Sequence, residues 1–223
     1  MKPKPAFIGL DLETTGLDAH SGVILEVGII IFDADLMPIK ARSWLTNELV
    51  EKEAIVSAPV VEVMHEESGL WEDLKTGHTQ PLRQVEADAS AWILEAGANK
   101  LPMLGSSVTF DRTWLDHHMP NLHRMFHYRS LDATSVLLAS TSLYDFTNDT
   151  VNDQKTLLVL DMLDHLNRWD LKPHRALYDL CQSAALAKAT LNAVEATPLA
   201  PLPERFPAPG GILKTPEKET SNE

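Results

Sequence analysis

Asp11 and Glu13 stand two residues apart at the end of a short apolar stretch, residues 6–12, that follows a proline and reads as a strand. A strand alternates its side chains, so both carboxylates project from one face. Held that close they repel each other unless a cation lies between them, and the chemistry such a pair supports is divalent-metal binding. In a chain with 32 acidic residues a solvated strand end explains one such pair as well. Other residues add to it. Thr14, Thr15 and Gly16 follow at once, and the glycine allows a sharp backbone turn beside the pair. Asp111 opens a helical stretch, and His174 and Asp179 lie near the start of the last one. Five residues separate those two, about 140° on a regular helix, so they share a helical face poorly. With His174 in a loop before the helix both can face one cavity, and Pro173 favours that loop because the residue before a proline is biased away from helix.

The elements that must position these groups follow from the apolar spacing. Residues 6–12, 23–33 and 39–45 predict three strands joined by short turns, hence an antiparallel start to the sheet. Residues 51–65 and 81–94 carry helical spacing, the second with Leu82, Val85, Ala89, Trp92 and Ile93 on one stripe. A fourth strand is expected over 101–108. Thr109 then suits the N-cap of a helix to His118. Further helices are expected over 131–139 and 175–194, while the polar stretch 140–155 has no clear period. Strands that give way to alternating helix and strand indicate an α/β domain with a mixed sheet. The domain is expected over residues 1–196. Residues 197–223 hold six prolines with Gly210 and Gly211 and read as a flexible tail.

Composition bounds the function. Hydrophobic residues are 44% and charged residues 23%, ordinary for a soluble domain. No apolar run reaches membrane length; the longest, 23–32, is interrupted by Glu26. The basic start lacks an apolar h-region, so no signal peptide is expected. Cys181 is the sole cysteine, which excludes a disulfide within the chain and a cysteine zinc site; it reads as a small core residue, and the cytoplasm is the simplest location. A net charge of −13 argues against broad nonspecific nucleic-acid binding. It allows a short nucleic acid met through cations held by carboxylates. His117, His118, His123 and His127 read as surface residues rather than a zinc site, His165 as helix surface, and four of the five tryptophans as core, with Trp71 the exception.

Three motifs now stand in order: Asp11-Leu12-Glu13-Thr14-Thr15-Gly16, Gly105-Ser106-Ser107-Val108-Thr109-Phe110-Asp111, and His174-Arg175-Ala176-Leu177-Tyr178-Asp179. Together they resemble the DEDDh 3′→5′ exonucleases (DnaQ-like, ribonuclease-H-like superfamily) over most of residues 6–195. Within that family His65-Glu66-Glu67-Ser68-Gly69-Leu70 and Tyr128-Arg129-Ser130-Leu131-Asp132 are most similar to the oligoribonucleases. Two features depart: Ser106 stands where those enzymes usually have Asn, and 140–172 matches poorly.

The resemblance implies a ribonuclease-H-like mixed sheet of about five strands flanked by helices. It implies that Asp11, Glu13, Asp111 and Asp179 hold two Mg2+ or Mn2+ ions and that His174 is the general base for hydrolysis of short RNA, down to dinucleotides, to 5′-mononucleotides. It further implies that Leu17 wedges beside a base, that His65 stacks on one, and that Ser107, Arg129 and Thr134 cap the 5′ phosphate, the last two from the partner subunit of a homodimer. A general or proofreading-type exonuclease acting on single-stranded DNA is the alternative, which the departures and the tail favour. A non-catalytic nucleic-acid-binding protein that has kept the fold is the third reading.

Overall fold

A computed structural model of the chain describes residues 3–51 and 59–197. Among them the order is β1 (Phe7–Thr14), β2 (Ile24–Phe32), β3 (Pro38–Thr46), α1 (Glu48–Glu51), α2 (Pro59–Ser68), α3 (Leu70–Thr76), β4 (Thr79–Gln80), α4 (Leu82–Glu95), β5 (Met103–Gly105), α5 (Thr109–His118), α6 (Pro120–His123), β6 (Ser130–Asp132), α7 (Ala133–Leu143), α8 (Asn148–Leu166) and α9 (Ala176–Ala196). The sheet order is β4-β3-β2-β1-β5-β6. β1, β2 and β3 pair antiparallel, as their short turns require, and β4, β5 and β6 add in parallel at the two flanks. The mixed α/β sheet agrees with expectation but holds six strands, not about five; β4 and β6 are too short to show a period.

All nine residues of β2 are buried, so it is covered on both faces. Its alternation sorts two cores. Ile29 and Ile31 join Leu10, Val85, Ala89, Ile93, Trp114 and Leu115 on one side. Ile30 and Phe32 join Leu177, Leu180, Cys181, Met162 and Leu163 on the other. The hairpin to β3 is closed by Asp33, whose Oδ1 accepts the Asp35 and Met37 N–H groups at 2.9 Å each.

Several local expectations are corrected. The helix expected over 51–65 is α2, at 59–68, and 52–58 lie outside the described residues. The strand over 101–108 shortens to Met103–Gly105. Thr109 is the first helical residue rather than the N-cap: Val108 precedes the helix, and its N–H is held by Asp132 Oδ2 at 2.9 Å. The same carboxylate accepts the Ser135 N–H at 2.9 Å and caps α7, so that helix starts after β6 and not at 131. The polar stretch 140–155 divides between the end of α7, a link at 144–147 and the start of the nineteen-residue α8, which is capped by Thr147 and ended by Asn167 at φ 52. Trp169 is exposed, whereas Trp44, Trp92 and Trp114 are core. The tail expected from 197 lies, beyond Thr197, outside the described residues. No helix among them is long and apolar enough to cross a membrane.

α9 packs across β1, β2 and β3. Small residues line it, and the closest approach is at Gly28 of β2, where a Cβ would sit 2.6 Å from Ala176 Cβ and 3.0 Å from the Ala176 carbonyl carbon. The start of α9 therefore rests directly on the sheet. Gly28→Ala should push it off, costing about 1–3 kcal/mol of stability, with a larger proportional loss in any reaction that needs His174 and Asp179 in place. Thermal melting and a rate assay check this; wild-type values in both would mean that α9 can back away freely.

Candidate active site

β1 ends with Asp11 and Glu13 on one face, separated by the buried Leu12. The Leu12 N–H donates to Asp111 Oδ1 at 3.2 Å, which draws the first turn of α5 onto the strand. Asp179 comes from the first turn of α9. One ligand oxygen from each of Asp11, Glu13 and Asp179 lies within 4.8 Å of the others. Asp111 stands beside this trio, close enough to repel the Asp11 charge.

The electrostatics are those of anions short of counter-charge. Burial, then the charges of Asp111, Glu13, Asp179 and Glu26, hold Asp11 well above the usual carboxylate range. Burial, then Asp179 and Glu26, push Glu13 up to about 8, with Arg175 acting the other way. Asp111 is pushed up to about 7 by burial, partly offset by backbone N–H groups. Burial also raises Asp179, against the His174 N–H and the charge of His174. A hard divalent cation relieves this repulsion, and an all-carboxylate donor set fits Mg2+ or Mn2+ better than a soft metal.

His174 lies in the loop before α9 in a left-handed conformation, φ 59, and its N–H donates to Asp179 Oδ1 at 3.4 Å. The loop placement is the one that lets both residues face one site. Leu17 is 82% exposed at the tip of the loop after β1, a loop braced by Thr14 Oγ1 donating to Gly16 O (2.8 Å) and Val23 N–H donating to Thr15 Oγ1 (3.0 Å). Ser107 is exposed with φ 55. Arg129, just before β6, is exposed with its guanidinium over the Tyr128 ring, and Thr134 lies half-buried in the first turn of α7.

His65 departs from its expected presentation. It is 2% exposed, with Nε2 3.0 Å from the Thr14 carbonyl, Nδ1 3.8 Å from Glu13 Oε2, and the Trp71 ring edge-on at 5.1 Å. Burial lowers its pKa, which favours the neutral ring. As placed it packs beneath α3 and offers no open face to a base.

Residues to which the sequence reading gave no role at the site also shape it. Glu26, buried at 1% exposure, pairs across the strands with Glu13. Arg175 Nε and Nη2 donate to its two oxygens at 2.9 and 3.3 Å, and Nη1 donates to Asp73 Oδ2 at 2.6 Å. A carboxylate inside a nine-residue apolar strand was the signal for Glu26. Ser106 Oγ lies 2.9 Å from Ser183 Oγ on α9.

Among the other histidines, His117 meets the rings of His118 and His20 edge-on at 4.6 Å each. His118 stacks on Trp114, His123 meets Asp116, and His127 Nδ1 accepts the Arg129 N–H. Among the described residues the acidic trio is the one group of three placed to share a metal. His165 is exposed, and Cys181 is buried with its thiol pushed up to about 12, an inert core residue.

A family model described as Exonuclease (RNase_T) matches residues 8–187. Oligoribonuclease of Xanthomonas euvesicatoria is 36% identical over 142 residues, 58% of this chain and 66% of that protein. Oligoribonuclease of Corynebacterium glutamicum is 34% identical over 132 residues, 58% of this chain and 59% of that protein. The chain thus spans just under two thirds of the length of the first of these relatives and less of the second. Among solved structures, S. pombe Pop2p in its Mg2+- and Mn2+-bound form aligns with TM-score 0.58 at 10% identity, over 82% of each chain. A product-bound exonuclease I aligns with TM-score 0.55 at 12% identity, over 86% of this chain and 45% of that one. At such identities the likeness speaks for the fold alone.

Proposed function

This chain belongs to the RNase_T exonuclease family, and from that premise we propose that it is a metal-dependent 3′→5′ exonuclease taking short RNA, down to dinucleotides, to 5′-mononucleotides. The observation that carries the reading is the trio Asp11, Glu13 and Asp179 with Asp111 beside it and His174 in the adjoining loop. The oligoribonuclease relatives support the substrate class.

Asp11, Glu13, Asp111 and Asp179 would hold two Mg2+ or Mn2+ ions. When bound, such cations offset phosphate charge and lower the pKa of a water molecule. The His174 imidazole takes a proton from the attacking water, a role open to an imidazole nitrogen that carries a free lone pair. Oxygen adds to the terminal phosphorus and the bond to the neighbouring 3′ oxygen breaks; that oxygen takes up a proton from solvent, so a 5′-mononucleotide leaves and the chain ends in a new 3′ hydroxyl. Asp179 keeps the His174 loop in register through the backbone N–H it accepts.

Leu17, free in solvent, would wedge beside a base, with His65 acting there only if the α2–α3 segment shifts. Ser107, with Arg129 and Thr134 from a second copy of the chain, would cap the 5′ phosphate. A guanidinium suits that cap because its contact is charge-assisted and can be bidentate. Exposed Tyr128, Leu138 and Leu143 leave apolar surface around these residues for such a copy. The setting proposed is the cytoplasm.

A length series from two to about ten nucleotides, in RNA and DNA, tests the substrate class. If Arg129 caps the phosphate of the shortest substrates, Arg129→Ala should slow dinucleotides by about tenfold or more and the longest oligomers by about twofold at most. Equal losses along the series remove the cap from the account. Faster turnover of long DNA than of short RNA replaces the substrate class.

A further inference from the structure

We propose that Arg175 is a positioning residue for the reaction: it anchors the His174 loop to the sheet through Glu26 and latches α2–α3 over the acids through Asp73. This rests on the nuclease reading above.

Arg175 follows His174 directly and precedes the first residue of α9. Its backbone is extended, φ −128, after the left-handed His174. Its side chain runs to β2 and α3. The contact with Glu26 is two-pronged, at 2.9 and 3.3 Å, and Glu26 sits on a strand buried along its whole length. That leg cannot yield without leaving a carboxylate uncompensated inside the protein, a strongly destabilising outcome. The His174 loop is therefore tied to the same strand pair that carries Glu13, Glu26's partner across the strands.

The third leg differs. The Asp73 side chain is 49% exposed, on a cavity of about 350 Å³ that Glu72, Asp170 and Lys172 also line. Water reaches this ion pair, so it can open while the Glu26 pair stays closed. Nearby Arg168 is engaged elsewhere, donating to Asp170 at 2.9 Å through both Nε and Nη2. Asp73 belongs to the segment that carries Trp71 and His65, and that segment covers Glu13 and the Thr14 carbonyl. α3 lies between Gly69 (φ 79) and Gly77, two residues able to absorb a change of angle. One planar guanidinium thus joins the base loop, the sheet and the cover. A lysine ammonium cannot hold a two-pronged carboxylate and a third oxygen in that fan.

The experiment compares the full chain with Asp73→Asn, Arg175→Lys and the double variant Arg175→Met/Glu26→Gln, which leaves no unpaired buried charge. Hydrogen exchange is read over residues 59–77, alongside kcat, KM and Mn2+ affinity on short RNA. Asp73→Asn, half-exposed and harmless to the core, should speed exchange in α3 by about tenfold. It should raise KM severalfold and leave kcat within about twofold, as expected of a cover that no longer stays shut. Arg175→Lys should lower kcat by about tenfold or more at unchanged Mn2+ affinity, since a small misplacement of the base suffices for that. The double variant should show both changes. Unchanged α3 exchange in Asp73→Asn overturns the latch. Wild-type kcat in the double variant, or Mn2+ affinity lost together with kcat in Arg175→Lys, overturns the positioning role. Absence of turnover in the wild type would sink the nuclease reading instead, and the exchange measurement would still decide the latch.

Discussion

Replacing His174 by alanine should cut turnover by about 10²–10⁴ and leave Mn2+ binding within about twofold. The donors that share one centre are carboxylates from Asp11, Glu13 and Asp179, and His174 is not among them. The bond from its loop to Asp179 comes from the backbone N–H, so it survives truncation of the ring. Under the proposed mechanism, what the alanine removes is the group that accepts the proton of water. Asp11→Ala provides the contrast, because it takes a carboxylate out of the acidic trio and should abolish metal binding and turnover together. Calorimetric titration with Mn2+, paired with initial rates, separates the two behaviours. If His174→Ala loses Mn2+ affinity as fully as Asp11→Ala, His174 is a ligand and the base must be sought elsewhere. Left-handed backbone at 174 is a separate contribution, and His174→Gly, which removes that strain, should be as slow as the alanine variant.

Removal of divalent metal should abolish turnover and reverse the usual pH dependence of stability above neutrality. Glu13 is raised to about 8 and Asp111 to about 7, with Asp11 and Asp179 raised as well. For a carboxyl whose pKa is higher in the folded state, the unfolded chain releases its proton first as pH rises. Stability from the neutral form is therefore whole below the ordinary carboxylate range. For Asp111 and Glu13 it falls as pH climbs toward 7 and 8 respectively, and is flat beyond. His65 works in the opposite sense: burial lowers its pKa, so its contribution is lost as pH drops below about 6.5. Asp18 and Asp170, lowered by their hydrogen-bond partners, lose theirs only in acid. The clean window is 6.5–8, where chelated protein should lose on the order of a few kcal/mol. If Mn2+ binds the folded, deprotonated cluster as proposed, its stabilisation should grow over the same window. Glu13→Gln, neutral at every pH, should flatten the slope. A melting temperature that holds level or rises from pH 6.5 to 8 in chelator would show that these acids ionise freely.

The parts of this molecule that were legible in the sequence are those whose signal is local and periodic. Asp11 and Glu13 lie on one strand face by alternation alone, and β2 declared itself by an apolar run. Pro173 placed His174 in a loop. The parts that were not legible depend on distant partners. α8 buries Val151 within the polar stretch and Val159, Met162 and Leu163 beyond it, and much of what makes it a helix in place is α9, which follows it. β4 and β6 exist because β3 and β5 pair with them, not because two or three residues carry a pattern. His65 sits in a motif shared with the oligoribonucleases, yet its burial under α3 depends on contacts with Thr14 and Trp71. Arg175 occupies the third motif, but its partners Glu26 and Asp73 lie 149 and 102 residues away, beyond the reach of any spacing rule.

As proposed, Asp11 and Glu13 at the end of β1, with Asp111, Asp179 and His174 beside them, form a hydrolytic centre for a nucleic-acid 3′ end. The direct measurement is release of 5′-mononucleotide from an RNA dinucleotide in Mn2+ by the full chain and by Asp11→Asn prepared alongside it. The wild type should release mononucleotide with multiple turnovers, and Asp11→Asn should release none. Silence from the wild type, or equal release from both, would contradict the assignment of these residues to catalysis.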